Sequence, residues 1–295
     1  MASDAQTERK TGGSASEAWI GRTERLEDPM DPWAANAFVA TMELTRGRFA
    51  AGDALPPFWH WMYFKQAAPR SALGPDGHPA LGGFMPKVAQ SRRMWAGGRL
   101  EVHGAIPLGA PATRLSTVAN VVEKTGRSGR MSFVTLRHEI SGAAGLALVE
   151  EQDIVYRDDS PPGAPVRTPP MAPGGAEALR LWTTDATTLF RYSALTFNGH
   201  RIHYDLDHAR ETEGYPGLVV HGPLLATLLL ELATELRGVP ARFAFRATAP
   251  IFAGERFEAC AAATGSLSAE TSGIGLALWM RGEDGRLAMS AEADW

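Results

Sequence analysis

The sequence predicts an α+β fold made of two antiparallel sheets, each wrapped around a long helix. The clearest element is a helix over residues 223–237, Pro-Leu-Leu-Ala-Thr-Leu-Leu-Leu-Glu-Leu-Ala-Thr-Glu-Leu-Arg. Its leucines occur around most of the circumference, which is typical of a helix that is buried on several sides. Pro223 is tolerated at the first helical position, where no N–H is needed, and Gly238 follows as a stop.

Four strand-like segments follow that helix, and four similar segments occupy the first half of the chain behind an apolar helical stretch at 31–44. Apolar and polar residues alternate in several of them, as in antiparallel meanders with one buried face. The segments are 98–106, 113–124, 130–141 and 146–157 in the first half, and 241–250, 255–266, 273–281 and 286–295 in the second. The repeated order predicts two copies of one fold, whose sheets pair edge to edge so that fewer strand edges are exposed.

A Pro- and Gly-rich segment divides the two copies. Residues 160–175 hold six prolines and three glycines, a composition that sustains neither a helix nor an inner strand. We therefore expect four regions: a disordered tail at 1–17, an N-terminal domain at 18–159, a linker at 160–175 and a C-terminal domain at 176–295. The polar tail lacks the apolar core of a secretory signal.

Composition excludes several classes of function. Of the 295 residues, 44% are apolar and 21% charged, as in globular proteins, and the net charge of -4 gives no general attraction for nucleic acid. Cys260 is the single cysteine, so an intrachain disulfide and a multi-cysteine zinc site are impossible, and we expect it to be buried in a strand. The longest apolar stretch, 224–232, is too short to cross a bilayer. We expect a cytoplasmic protein without a membrane or nucleic-acid partner.

Residues with chemical potential concentrate in Phe190-Arg-Tyr-Ser-Ala-Leu-Thr-Phe-Asn-Gly-His-Arg-Ile-His-Tyr-Asp205. This stretch follows a helix that Asp185 is expected to cap. A second concentration, Val220-His-Gly-Pro-Leu224, lies at the start of the buried helix. A helix start presents free N–H groups, and Gly222 lets a ligand approach the backbone, so an oxygen that gains negative charge is stabilised there.

The histidines alone do not decide between a structural and a functional role. His200, His203, His208 and His221 lack the HExxH arrangement, and no second cysteine is present, so no metal is expected. No GxSxG elbow, P-loop or GxGxxG motif occurs. Taken one by one, each histidine is more often a structural or surface residue.

The stretch YSALTFNGHRIHYDLDHARETEGYPGLVVHGPL resembles the hydratase motif of the MaoC-like, hotdog-fold enoyl-CoA hydratases. It is most similar to the branch of type 2 hydroxyacyl-thioester dehydratases and mesaconyl-C4-CoA (3-methylfumaryl-CoA) hydratases. The segment RRMWAGGRLE at 92–101 is similar to the same branch. The resemblance implies a double hotdog, with a sheet wrapped around a helix in each half.

The resemblance also implies the site. Members of the wider family carry a pattern like GDxNPxHxD; aligning its end on His203-Tyr-Asp205 places Asn198 where they have a catalytic Asp and Arg201 where they have Pro. An amide is not a general base, so His203 is expected to transfer the proton, Asn198 to hold the water and the Gly222 N–H to stabilise the thioester oxygen. The N-terminal half lacks this motif, and we expect it to shape the acyl pocket without supplying a catalytic dyad.

The implied reaction is reversible hydration of an α,β-unsaturated acyl-CoA by a hydro-lyase, with a short, branched or dicarboxylic substrate such as mesaconyl-C4-CoA. A 3-hydroxyacyl-thioester dehydratase of fatty-acid metabolism and a non-catalytic acyl-CoA binding protein remain alternatives. Coenzyme A is part of the substrate, and neither a cofactor nor a metal is expected. The partner expected beyond substrate is a second copy in a homodimer, unless the double hotdog is self-paired.

Five further residues are expected to bind substrate, although each is equally well explained as a solvated or structural residue. Arg92 and Arg93 precede what reads as a Trp-Ala-Gly-Gly turn, Arg191 and Arg201 flank the catalytic stretch, and His221 begins the buried helix. Arginine suits phosphate and carboxylate because its planar fork donates two parallel hydrogen bonds.

Overall fold

A computed structural model of the chain describes residues 17–90, 92–126, 129–158, 168–264 and 275–295. Ten strands and three α-helices make up its regular structure within these residues. The strands are β1 Thr23–Asp28, β2 Arg92–Val102, β3 Ala112–Gly126, β4 Gly129–Gly142, β5 Gly145–Arg157, β6 Ala178–Thr183, β7 Arg242–Ala247, β8 Arg256–Ala263, β9 Leu276–Gly282 and β10 Leu287–Asp294. The helices are α1 Pro32–Met42, α2 Ala186–Thr196 and α3 Gly222–Arg237.

All ten strands belong to one antiparallel sheet with the order β1-β3-β4-β5-β2-β7-β10-β9-β8-β6. Each half of the chain contributes five neighbouring strands, and the halves join where β2 pairs with β7. The α+β prediction is therefore confirmed, and the expected edge-to-edge pairing makes the two sheets continuous. It removes one exposed edge from each half.

The Trp-Ala-Gly-Gly run was predicted to form a turn, and this is wrong, because the run lies inside β2. A Cβ atom on Gly97 would lie 2.5 Å from the carbonyl oxygen of Phe245, and one on Gly98 would lie 2.6 Å from that of Glu151. The glycines are thus explained by close strand packing at the junction of the halves, with a bulge between Trp95 and Gly97.

Helix α3 lies against β7, β8, β9 and β10, and ten consecutive residues from Leu224 to Ala233 are buried. Burying each leucine contributes about 1.5–3 kcal/mol. The one carboxylate among them, Glu231, accepts a hydrogen bond from the Trp59 indole at 2.9 Å and pairs with Arg46. The buried charge is therefore compensated by the N-terminal half.

The shorter helices α1 and α2 pack against each other. Asp31 caps α1 through the Trp33 N–H at 2.8 Å, and Asp185 caps α2 through the Thr188 N–H at 2.7 Å, as predicted for Asp185. Helix α1 has 11 residues and α3 has 16, so the N-terminal half carries the smaller helix.

All but one residue of the predicted tail at 1–17 and the first half of the predicted linker at 160–175 lie outside the described residues, and the domain boundaries stay a prediction. The strands on either side of the linker end at Arg157 and begin at Ala178. Cys260 is buried in β8, as expected. Within the described ranges, no helix combines the length and the apolar character needed to cross a membrane.

Candidate active site

The site begins where α2 ends. Phe197 adopts a left-handed conformation with φ 52°, which turns the chain away from the helix axis. Asn198 follows, and its Oδ1 accepts a hydrogen bond from the backbone N–H of His200 at 3.0 Å. This Asx turn leads into a 3-10 turn over Arg201–His203. Asn198 thus has a structural role through its Oδ1 atom. Its Nδ2 group has no protein partner among the described residues.

His203 is held in one orientation with one nitrogen available. Its Nδ1–H donates to the carbonyl oxygen of Val219 at 2.7 Å, which leaves the Nε2 lone pair free. Nε2 has no protein partner among the described residues. It is also not one of the unpartnered polar atoms that are closed to solvent, so solvent or ligand reaches it. Burial lowers the pKa of His203 to about 4 against the opposing Val219 hydrogen bond, so the ring is neutral at neutral pH. A neutral imidazole with a free lone pair can accept a proton, which a general base must do.

His221 supports His203. The two rings stack with centroids 3.6 Å apart and an angle of 19°. The Nε2 atom of His221 is 2.9 Å from the Ser193 hydroxyl, and its Nδ1 is closed to solvent and has no partner among the described residues. Because His221 is fully buried, this geometry favours ring positioning and gives no support to the predicted substrate contact.

A loop of the N-terminal half, residues 73–79, meets this stretch. The His78 ring lies 4.4 Å from the His200 ring, which lies 5.4 Å from the His203 ring. Asp76 accepts from the His78 Nδ1–H at 2.8 Å and from its backbone N–H at 3.0 Å. Burial acts to raise the pKa of Asp76, but the His78 hydrogen bonds prevail and lower it to about 2. The N-terminal half therefore brings a carboxylate–imidazole pair to the site, in addition to the pocket wall expected of it.

Two glycines allow this contact. Gly77 has φ +89°, and a Cβ atom on it would lie 2.0 Å from the carbonyl oxygen of Gly199. Further bonds fasten the loops, since the Arg201 backbone N–H donates to the Asp76 carbonyl at 2.9 Å and its guanidinium to the Pro75 carbonyl at 3.1 Å. Sequence reasoning missed Asp76 and His78. The Pro-Asp-Gly-His-Pro run signals a turn, but no local pattern places that turn beside residues 199–201.

Gly222 lies at the start of α3, as predicted, and its N–H is one of the first-turn groups that have no partner within a helix. A Cβ atom here would be 3.0 Å from Cε3 of the Trp95 ring. Trp95 of β2 therefore forms a wall beside the predicted oxyanion position, and a larger residue at 222 would crowd the ring.

Four arginines were predicted to contact substrate. The positions of three of them are explained without such a contact. Arg92 binds the Glu213 carboxylate through Nε at 3.0 Å and through Nη2. Arg201 binds Asp205 at 2.8 and 3.0 Å. Arg191 is exposed on α2. Their predicted contact with substrate gains no support from these positions.

Arg93 differs from them. It is partly buried on β2 and makes no hydrogen bond or ion pair within the part of the chain that the structure describes. Burial lowers the pKa of the neighbouring His78 and His200, and the Arg93 charge contributes to both shifts. An unpaired cation therefore lies at the edge of the histidine cluster.

One group of possible metal ligands was also missed. Asp76, His78 and His200 each place a donor atom within 4.8 Å of the others. Both Asp76 oxygens already accept hydrogen bonds from His78, which is the arrangement of an oriented imidazole. The expectation of a metal-free site thus stays a prediction that a chelator can test.

The chain is similar to known proteins along most of its length. The chain is 46% identical over 281 residues to the mesaconyl-C4-CoA hydratase of Chloroflexus aurantiacus, covering 94% of this chain and 96% of the relative. A MaoC-like dehydratase superposes with a TM-score of 0.72 at 14% identity, covering 94% and 98% of the two chains. A Mycobacterium tuberculosis protein described as a double hotdog superposes with a TM-score of 0.58 at 15% identity, covering 93% and 95%. These two likenesses confirm the double-hotdog fold.

The model of the family described as hydroxyacyl-thioester dehydratase type 2 matches residues 58–253, which include both loops of the site and the start of α3. The predicted resemblance and the predicted class of enzyme, a hydro-lyase of the hydratase and dehydratase type, are confirmed by this match and by the 46% identical hydratase. The chain belongs to the hydroxyacyl-thioester dehydratase type 2 family.

Proposed function

We propose that the protein reversibly hydrates a short α,β-unsaturated acyl-CoA, with a branched or dicarboxylic acyl group such as mesaconyl-C4-CoA as the preferred substrate. The observation that carries the proposal is the free Nε2 of His203, a buried and neutral imidazole whose other nitrogen is fixed by Val219. The 46% identity to a mesaconyl-C4-CoA hydratase supports the choice of substrate.

In the proposed reaction His203 Nε2 accepts a proton from a water molecule, and the water oxygen forms a bond to C3 of the enoyl group. The π electrons of the C2–C3 bond move onto the thioester oxygen as an enolate. The proton on His203 then passes to C2, so that both parts of one water are added on the same face. A pKa near 4 makes the protonated ring a strong acid, which favours the return of its proton.

The neighbouring groups have complementary roles in this proposal. The Gly222 N–H stabilises the enolate oxygen, an effect worth about 3–4 kcal/mol at comparable sites. The amide of Asn198 holds the water through Nδ2 while its Oδ1 maintains the Asx turn. The thioester itself acidifies C2, so the proposal includes neither a cofactor nor a metal, and coenzyme A enters as part of the substrate.

The family description favours a second candidate, dehydration of a 3-hydroxyacyl thioester in fatty-acid metabolism, which uses the same residues in the reverse direction. A panel assay separates the two. Loss of enoyl absorbance at 260–290 nm is followed with CoA esters from four to twelve carbons and with dicarboxylic esters such as mesaconyl-C4-CoA. We expect the highest kcat/KM with the dicarboxylic esters. A preference for long monocarboxylic chains would favour the second candidate, and binding without turnover on every ester would indicate a non-catalytic acyl-CoA binding protein.

We also propose where the protein is located and how it assembles. A cytoplasmic location fits an enzyme whose substrate is a CoA ester. The β2–β7 junction already pairs the two halves within one chain, so a homodimer is not needed to complete the sheet, and the assembly state is measured by light scattering.

A further inference from the structure

Arg93 is a partly buried cation without an anion. Within the described residues it forms no ion pair, whereas Arg92 and Arg201 are matched to Glu213 and Asp205. Taking a guanidinium out of water is costly unless a negative charge compensates it. An anionic ligand group is therefore the partner that this position lacks.

Tyr156 is the second observation. It lies directly across from Arg93 in the β2–β5 pairing, so both side chains project on the same face of the sheet. Tyr156 is 2% exposed, and its hydroxyl has no hydrogen-bond partner among the described residues. Burial raises the pKa of Tyr156, and the Arg93 charge opposes this rise, which places the guanidinium within electrostatic reach of the hydroxyl. A buried hydroxyl donor without an acceptor destabilises the protein, and a bound ligand that supplies the acceptor removes this cost.

The position of Arg93 indicates which anionic group of the substrate it binds. Arg93 and Trp95 lie two residues apart on β2, so their side chains project on the same face of the sheet, and the Trp95 ring lies beside Gly222, the predicted oxyanion position. The phosphates of coenzyme A are separated from the thioester by the whole pantetheine arm. A carboxylate at the far end of a four-carbon acyl group is instead bonded to C3, the carbon that receives water beside His203.

We propose that Arg93, together with the Tyr156 hydroxyl, forms the receptor for the distal carboxylate of a dicarboxylic enoyl-CoA. The inference rests on the proposed function and names the residues that decide its substrate class. The guanidinium donates two parallel hydrogen bonds to the carboxylate. The Tyr156 hydroxyl is closed to solvent without ligand, and it donates a third once the surrounding side chains give way to the carboxylate. Asp76 is not this partner, because its carboxylate accepts hydrogen bonds from His78 and forms no ion pair with Arg93 among the described residues.

The test uses two substrates that differ in the distal group. Fumaryl-CoA carries a carboxylate where crotonyl-CoA carries a methyl group. For Arg93→Gln we expect kcat/KM on fumaryl-CoA to fall roughly 10- to 100-fold, as for the loss of a hydrogen bond to a charged group, and on crotonyl-CoA to change less than about threefold. Tyr156→Phe should show the same selectivity with a smaller loss, and Arg93→Lys should lie between wild type and Arg93→Gln.

Arg99→Gln is the matched control. Arg99 lies on the same strand but is about half exposed and pairs with Glu151 and Asp153, so this variant should match wild type on both esters. Equal losses of Arg93→Gln on both esters would show a general binding role and would overturn the proposal. A selective Arg93→Gln with an unchanged Tyr156→Phe would remove Tyr156 from the receptor.

A binding experiment separates this inference from the proposed function. Calorimetric titration with succinyl-CoA and butyryl-CoA, which are saturated and cannot be hydrated, measures the receptor without turnover. Wild type should bind succinyl-CoA more tightly, and Arg93→Gln should abolish the difference. If no enoyl-CoA is hydrated but this difference is found, the proposed function fails and the receptor stands; equal wild-type affinities would refute the receptor whatever the activity.

Discussion

The contact between Gly77 and Gly199 provides the sharpest structural prediction, because one methyl group tests whether the N-terminal loop positions the site. In Gly77→Ala the new Cβ atom would lie 2.0 Å from the Gly199 carbonyl oxygen, whereas ordinary contacts begin near 3.4 Å. The loops must therefore move apart by about 1 Å or more, and a displacement of that size can reduce turnover by about 10²-fold. The left-handed φ of +89° adds about 1–2 kcal/mol of strain.

Gly82→Ala separates these two effects. Gly82 has a φ of +104°, so it incurs similar strain, but nothing lies within 4 Å of its added Cβ atom. Both variants should lose stability in urea unfolding, Gly77→Ala more so because the clash adds to the strain. Only Gly77→Ala should lose kcat/KM in the enoyl-CoA absorbance assay, by about 10²-fold. Equal kcat/KM values for the two alanine variants would refute the idea that the Gly77–Gly199 contact positions catalytic groups.

Three further predictions concern the chemistry of the site. Asn198→Ala should weaken turnover strongly, while Asn198→Asp should keep partial activity because a carboxylate both accepts the His200 N–H and restores the commoner residue of the family; wild-type kinetics in both would leave Asn198 only its turn role. Activity should survive exhaustive EDTA treatment despite the Asp76–His78–His200 group, and loss that zinc restores would contradict the metal-free mechanism. Since the neutral form of His203 is the active one and its pKa is lowered to about 4, kcat/KM should stay level from pH 8 to pH 6 and fall as the pH drops through about 4; an acid limb near 6.5 would show that the ring is not desolvated in the working enzyme.

Local patterns predicted much of the fold. The helix expected at 223–237 is observed at Gly222–Arg237, and the apolar and polar alternation located β2 to β5 and β7 to β10 but not β1. The start of β2 was missed because Gly97 and Gly98 resemble a turn in sequence. Their function is tertiary, since each glycine makes room for a carbonyl of a neighbouring strand. Such a requirement has no signature in the local sequence.

The site shows the same division between local and tertiary information. His203 and Gly222 lie in a continuous motif, so a resemblance to a family identified them together. Asp76 and His78 lie more than a hundred residues away and reach the site through the Gly77–Gly199 contact. The four arginines looked equivalent in sequence, and the pairing of Arg92 and Arg201 with carboxylates, visible in the fold, is what sets Arg93 apart.

The central claim is that His203 is the general base of a hydratase, and the most direct measurement compares kcat/KM of His203→Ala and His208→Ala on a four-carbon enoyl-CoA. Both histidines are 6% exposed and lie in the same segment, but the Nε2 of His208 is sealed and that of His203 is reachable. The account predicts that His203→Ala keeps its fold by circular dichroism and loses 10²- to 10⁴-fold in rate, the usual contribution of a general base, while folded His208→Ala stays within about threefold of wild type. A folded His203→Ala enzyme that retains more than about a tenth of the wild-type rate would contradict the claim.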